Sequence, residues 1–312
     1  MIELIKSGQQ AGTVLDKIFR LMNAQNFKYP IPFAKMSGTG NDFIIIDHRE
    51  PFITEADQSE FARIVCRRKF SVGADGLILI ENSETADFRW QFYNGDGSRA
   101  EMCGNGARCA ARFAFENNIA PATMRFETTA GEIEAFILDG TGESVKIRLT
   151  APEDLRLNIP MNVGRVEQTL HFINTGVPHT VVLINEAGDV PVTDWGREIR
   201  FHETFQPAGT NANFVQVVSN DMLMVRTYER GVEGETMACG TGAVASALVV
   251  ALLEQVKPPV TVITSGGEEL TIHFSLKEDG NDRQLDLAAG IFLEGPAHII
   301  FEGQLGLDGL RQ

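Results

Sequence analysis

The stretch Cys103-Gly-Asn-Gly-Ala-Arg-Cys-Ala-Ala-Arg-Phe-Ala-Phe-Glu116 decides how this chain is read, because Cys239-Gly-Thr-Gly-Ala-Val-Ala-Ser-Ala-Leu-Val-Val-Ala-Leu-Leu253 answers it 136 residues later. In both, a cysteine and two glycines open an apolar helix. Glycine lets the backbone turn tightly and lets an anion approach the free amides of the helix start. A cysteine placed there faces unpaired N–H groups and the positive end of the helix dipole, an environment that brings thiol pKa values down to about 3.5–7.5. One such thiol is a nucleophile; two suggest a base and an acid.

The first helix carries Ala110, Phe113 and Ala114 on one stripe, pairs Arg112 with Glu116, and ends at Asn117-Asn118 ahead of Pro121. The second is apolar all round and stops at Lys257-Pro258-Pro259, so it is expected inside a sheet or barrel. Strand patterns flank both helices, at 43–47, 77–80, 88–93, 125–129 and 133–138 in the first half. The second half repeats them at 180–184, 213–218, 222–228, 260–263 and 270–274. Asp96-Gly97 and Asp139-Gly140 read as turns. Each half thus runs strands, elbow, buried helix, strands. That order predicts an α+β fold of two pseudo-symmetric domains, each a mostly antiparallel sheet or barrel wrapped around a central helix, rather than a doubly wound parallel sheet. The active site then belongs between the domains.

A chain of 312 residues has room for two cores. Its 27 basic and 42 acidic residues leave a formal charge of −15, which argues against nucleic acid or an anionic membrane as a partner. No run reaches the roughly 18 apolar residues of a membrane span. Residues 1–30 interrupt their apolar segment with charge, in Leu15-Asp-Lys-Ile-Phe-Arg-Leu-Met22, and are read as an appended amphipathic helix without a secretory core. The expectation is a cytoplasmic protein with reduced thiols, Cys66 and Cys109 serving as core residues. No Cys-x-x-Cys pair and no Cys/His cluster has ligand spacing, so no metal is expected.

Two opposed thiols suit one chemistry well. Inverting a stereocentre without a cofactor requires a base to take the α-proton from one face and an acid to supply a proton to the other. The carbanion-like intermediate needs its carboxylate stabilised, and the amides of Gly104-Asn105 and Gly240-Thr241 stand at two helix N-termini for that purpose. Other candidates are ambiguous when taken singly. Asn41, Asn94 and Asn211 also read as turn or strand-end residues, Glu229 and Arg230 as a surface pair, and His179 as a loop residue.

The segment Phe92-Tyr-Asn-Gly-Asp-Gly-Ser-Arg-Ala-Glu-Met-Cys-Gly-Asn-Gly-Ala-Arg-Cys109 resembles the signature of the diaminopimelate epimerases. In family order come Lys35-Met-Ser-Gly-Thr-Gly-Asn-Asp-Phe43, Val72-Gly-Ala-Asp-Gly76, Gly209-Thr-Asn-Ala-Asn-Phe214 and Tyr228-Glu-Arg-Gly-Val-Glu-Gly-Glu-Thr-Met-Ala-Cys-Gly-Thr-Gly242. The resemblance spans about residues 33 to 304 and implies a cofactor-independent interconversion of LL- and meso-2,6-diaminopimelate, on the route to lysine and peptidoglycan precursors. Cys103 and Cys239 would be the acid–base pair. Asn41, Asn94, Asn211, Glu229 and Arg230 match substrate-holding positions, and Gly104, Asn105, Gly240 and Thr241 those that hold the reacting carboxylate. His179 and Glu229 match accessory groups that tune the cysteines. The family commonly has Asn-Pro-His where this chain has Val177-Pro178-His179, which removes one substrate amide.

The resulting layout is an N-terminal extension at 1–30, a first domain at 31–150 completed by 293–312, and a second at 151–292. The partner is a small amino-acid substrate, with no nucleic acid or membrane and with a homodimer left open. Two competing functions share the two-cysteine device or the cleft: a proline or hydroxyproline racemase, and a noncatalytic amino-acid-binding or thiol-redox protein.

Overall fold

Residues 43–46 and 77–80 are continuous apolar runs buried along their length, as strands covered on both faces must be. They sit in a computed structural model that describes residues 30–279 and 282–310, together with Asp16. The helix expected within 1–30 otherwise lies outside the described residues. The first half runs β1 (Ile31–Gly38), β2 (Asn41–Asp47), α1 (Glu55–Val65), β3 (Gly76–Glu81), β4 (Phe88–Asn94), α2 (Gly104–Glu116), β5 (Thr123–Thr128), β6 (Gly131–Ile137) and β7 (Ser144–Leu149). The second begins with β8 (Glu153–Val163), β9 (Val166–Asn174), β10 (Pro178–Leu183), α3 (Val192–Phe201), β11 (Asn211–Ser219), β12 (Met222–Glu229) and β13 (Gly234–Thr236). It continues with α4 (Gly240–Leu252), β14 (Val260–Ile263), β15 (Glu269–His273), the hairpin β16 (Leu276–Asp279) and β17 (Asp282–Leu285), then β18 (Ile291–Pro296) and β19 (His298–Leu305).

The halves repeat one pairing scheme. In the first, β2 and β3 are parallel across α1, β3 and β4 antiparallel, β4 and β5 parallel across α2, and β5 and β6 antiparallel. In the second, β10 and β11 are parallel across α3, β11 and β12 antiparallel, β12 and β14 parallel across α4, and β14 and β15 antiparallel. The expected α+β architecture of two repeated sheet units around central helices is what the chain adopts. The halves join where β7 and β18 pair antiparallel, Ile147 opposite Leu293. Beyond that seam the chain crosses over: β8 leaves β7 to pair with β9, while β19 leaves β18 to pair with β1. Each central helix is enclosed as its composition demands, α4 having every residue from Gly242 to Ala251 buried. No helix among the described residues is long and apolar enough to cross a membrane.

Every strand expected from pattern is present. Helices α1 and α3 were not expected. Thr54 opens α1, donating from its hydroxyl to Asp57 at 2.7 Å, and Phe61, Ala62, Ile64 and Val65 form the buried face. In α3 the mid-helix Gly196 reads as a breaker, yet a Cβ there would lie 2.3 Å from Tyr228 Cβ, so close packing requires it. Strand β8 hides its alternation because Asp154 and Asn158 take positive φ where its register with β9 shifts.

A buried polar cluster ties β2, α1, β3 and β4 together. Glu81 accepts from His48 Nδ1 and Gln58 Nε2, both at 2.9 Å, and from Arg89 Nε at 3.0 Å, while His48 Nε2 accepts the Phe52 and Ile53 amides. Burial opposes ionisation of Glu81, but the bonds from His48, Gln58 and Gln91 outweigh it and hold the carboxyl at about 2. A depressed carboxyl contributes stability above its unfolded pKa and loses it as pH falls through the folded value. Glu81→Gln is therefore expected to cost about 2–3 kcal/mol at pH 7 and almost nothing near pH 2. Urea unfolding of both proteins at the two pH values checks this, and an equal deficit at both would contradict it.

Candidate active site

Each elbow is built alike. Cys103 and Cys239 are the N-cap residues of α2 and α4, in extended conformation with φ of −148° and −129°, and their carbonyls receive the first helical bonds from Ala107 and Ala243. Each sulfur lies beside first-turn groups of its own helix, the Asn105 and Gly106 amides for Cys103 and the Gly242 amide and Thr241 hydroxyl for Cys239.

The elbows converge on the seam. A Cβ on Gly104 would lie 3.5 Å from Leu293 Cδ2, and one on Gly240 would lie 3.2 Å from the same methyl and 3.9 Å from Asn105 Oδ1. Helices α2 and α4 touch directly. Two helix N-termini thus meet over one apolar side chain.

Electrostatics corrects one expectation. The elbow amides were expected to lower both thiol pKa values, but burial prevails and raises both. For Cys103 burial is opposed by the Gly106 and Asn105 amides and by the positive charge of Arg108, with Glu229 adding to the rise. For Cys239 burial and the Glu229 carboxylate prevail over the Thr241 hydroxyl and the Gly242 amide, and push the thiol up to about 12. The charge of Cys103 adds least to the rise at Cys239. Both residues are half-buried. Cys66 and Cys109, expected in the core, are buried there.

Around the elbows the predicted residues fall into two groups. Asn105 Nδ2 donates to Asn41 Oδ1 at 2.9 Å, and Asn41 donates to Asp75 Oδ2 at 3.2 Å. The neighbouring Asp42 is structural: Lys35, Arg68 and the Asp75 amide all bond it. Asn94 is exposed at the end of β4, bonded to Ser98 Oγ at 2.9 Å beside the expected Asp96-Gly97 turn. On the other side Asn211 is buried and accepts the Arg230 amide at 2.7 Å, while Arg230 Nη1 reaches the Ala208 carbonyl at 2.8 Å. Glu229, at the end of β12, is half-buried, and burial raises its carboxyl pKa. His179 is not a loop residue but part of β10, fully buried, with Nε2 2.9 Å from Thr241 Oγ1. Val177 is half-buried in the turn that leads into β10.

Sequence reasoning missed three participants. Arg108, one turn into α2, is fully buried and bonds Thr39 Oγ1, Asn105 Oδ1 and the Gly104 and Pro296 carbonyls, a cation held by neutral acceptors. Its spacing from Cys103 was the available signal. Asn213 and Thr227, from β11 and β12, meet beneath the second elbow at 2.9 Å. Asn213 lies within the quoted 209–214 segment, whereas nothing local marks Thr227.

The diaminopimelate epimerase family profile matches residues 33–153 and 171–297. The diaminopimelate epimerase of Aquifex aeolicus is 50% identical over 290 residues, covering 89% of this chain and 99% of its own length. That of Archaeoglobus fulgidus is 40% identical over 291 residues, covering 90% and 98%. Among solved structures, a PhzF-family phenazine biosynthesis protein of Bacillus anthracis superposes with a TM-score of 0.66 at 16% identity, over 90% of this chain and all of that one. A probable proline racemase from Agrobacterium radiobacter superposes with a TM-score of 0.62 at 14% identity, over 90% and 94%. At those identities the structural likenesses show the fold alone.

The elbow glycines set a packing limit that can be measured. A Cβ on Gly242 would lie 2.4 Å from Asn213 Oδ1 and 3.3 Å from Cys239 Sγ. Gly242→Ala is expected to destabilise the protein by about 1–3 kcal/mol through overpacking, read by chemical denaturation. A variant as stable as the wild type would contradict the stated geometry.

Proposed function

The chain belongs to the diaminopimelate epimerase family, and on that premise we propose that it interconverts LL- and meso-2,6-diaminopimelate in lysine biosynthesis, with Cys103 and Cys239 as base and acid. The observation that carries this reading is the convergence of two cysteine-capped helix N-termini on the Leu293 methyl. In one direction the thiolate of one cysteine takes the α-proton, and the thiol of the other delivers a proton to the opposite face. The first sulfur ends protonated and the second ionised, so the reverse reaction starts from the product state without a cofactor.

The α-carbon of an amino acid is a weak acid, and a strong base is needed to move its proton. Raised thiol pKa values supply one, since a thiolate generated in a dry site is more basic than one in water. The amides of Gly104, Asn105, Gly240 and Thr241 hold the reacting carboxylate as negative charge spreads into it. At the far end, Arg230 forks onto the second carboxylate, and Asn41, Asn94 and Asn211 bond that carboxylate and its neighbouring ammonium without adding charge. Thiol acid–base chemistry requires reduced sulfur, and with all four cysteines free we place the reaction in the cytoplasm.

Cys103→Ala and Cys239→Ala are each expected to lower epimerisation by about 10²-fold or more, because each removes one of two obligatory proton carriers. Turnover of the wild type in D₂O should place deuterium on the α-carbon of diaminopimelate. Full activity in either variant would defeat the two-base scheme. Because burial raises both thiols, the ionised fraction grows as pH increases, and kcat/KM is expected to climb from pH 7 to 9. A flat profile over that interval would mean that one thiol is already ionised at neutrality.

A further inference from the structure

His179 is fully buried with both ring nitrogens bonded, and its partners determine where every proton along the line must sit. Asn213, equally buried, donates from Nδ2 to the Thr180 carbonyl at 2.9 Å and accepts the Thr227 hydroxyl at Oδ1, also at 2.9 Å. A carbonyl only accepts, so the amide nitrogen and oxygen cannot be interchanged. The same Nδ2 lies 3.1 Å from His179 Nδ1. Nδ1 is therefore the acceptor, and a neutral ring carries its proton on Nε2. Nε2 in turn donates to Thr241 Oγ1 at 2.9 Å, which leaves the Thr241 hydroxyl proton for its other neighbour, Cys239 Sγ, at 3.6 Å.

We propose that Asn213 is a positioning residue that orients the chain Thr227, Asn213, His179, Thr241, Cys239, so that the Cys239 sulfur always accepts from Thr241. When Cys239 is ionised, the hydroxyl stabilises the thiolate. When it is protonated, the Thr241 side is already occupied by a donor, and the S–H points into the cleft, where an α-carbon would lie. The inference rests on the proposed epimerase reading for what occupies the cleft; the proton order itself belongs to the fold.

Further observations agree. Burial and the nearby positive charge of Arg230 hold the His179 pKa down to about 3, so the ring stays neutral and relays a hydrogen bond rather than shuttling a proton. Gly242 lacks the Cβ that would exclude Asn213 Oδ1. The charged or titratable groups that act on Cys239 are Glu229 and Cys103, and neither lies in the chain. Cys103 has no such relay, its sulfur being served by the Asn105 and Gly106 amides and by Arg108.

Side-chain ¹⁵N NMR of the labelled full-length protein at pH 7 tests the tautomer directly, with Nε2–H expected. Asn213→Asp presents only an accepting oxygen to the ring, ionised or with its proton on Thr180, and is expected to move the ring proton to Nδ1. The Thr241 hydroxyl then turns to Nε2, and alkylation of Cys239 by iodoacetamide, followed by peptide mass spectrometry, slows about tenfold at fixed pH, one unit in thiol pKa. Thr241→Val should slow Cys239 labelling similarly while leaving the Nε2–H tautomer intact, and Thr241→Ser should restore the rate. If Asn213→Asp does not fold, the wild-type tautomer and the Thr241 pair still decide. An Nδ1–H ring or an imidazolium in the wild type overturns the proposal, as does unchanged labelling in Thr241→Val. If tautomer and labelling behave as expected but diaminopimelate is not epimerised, the substrate reading fails and this one stands.

Discussion

Two helix N-termini have to meet, and a single cross-strand pair decides whether they do. Ile147 and Leu293 lie opposite each other where β7 pairs with β18, and their side chains form the apolar floor beneath Gly104, Leu293 extending under Gly240 as well. Register in a sheet is an all-or-none matter: a slip of one residue would send both side chains to the other face and leave the elbows without a common support. The seam is locked from both sides, because Ile147 also pairs with Ala135 of β6 and Leu293 with Ile272 of β15. The crossover of β8 and β19 beyond it ties each half to the other's chain. The placement of the elbows thus rests on long-range strand pairing rather than on a loop, and sites built so hold positions better than loops do.

Placing thiols at this junction sets two influences against each other. Helix N-termini favour anions, yet the same packing that brings the elbows together removes water, and at both sulfurs desolvation prevails. The protein compensates differently on the two sides. Cys103 has a buried guanidinium nearby, Arg108, fixed by neutral acceptors that leave its charge uncancelled. Glu229 disfavours the anion at both sulfurs, and at Cys239 only dipoles offset it. The two sulfurs thus have unlike surroundings, as the proposed pairing of one thiolate with one thiol requires.

Local features of the sequence were legible, and tertiary ones were not. The elbows and their helices could be read because glycine spacing and an all-apolar helix act over a few residues. The strands at 43–47 and 77–80 could be read because burial on both faces leaves an unbroken apolar run. The direction of the thiol pKa shifts was misread because the dipole argument is local, whereas burial depends on β7 and β18, 142 residues or more apart in sequence. His179 read equally well as a loop residue because its partners, Asn213 and Thr241, come from other elements. Helix α3 was missed because Gly196 is there for Tyr228, a contact that no window around it contains.

The repeat of the scaffold explains why the two thiols were not given the same surroundings. Under the pairing shared by both halves, His179 opposite Asn211 in β10 and β11 corresponds to Phe43 opposite Gly76 in β2 and β3, and Asn213 corresponds to Ile78. Each elbow's second glycine registers the substitution. A Cβ on Gly106 would meet Ile78 at 3.3 Å and Phe43 at 3.5 Å, whereas one on Gly242 would meet Asn213. One backbone plan therefore carries an apolar support under Cys103 and a polar one under Cys239. An apolar support can exchange no hydrogen bond with a sulfur, so the first half must stabilise its anion through amides and a buried cation, while the second does so through an ordered line of dipoles. For the proposed reaction, symmetry would supply the opposed positions that inversion at carbon needs, and the exchange of Phe and Ile for His and Asn at matched sites the inequality between the two sulfurs.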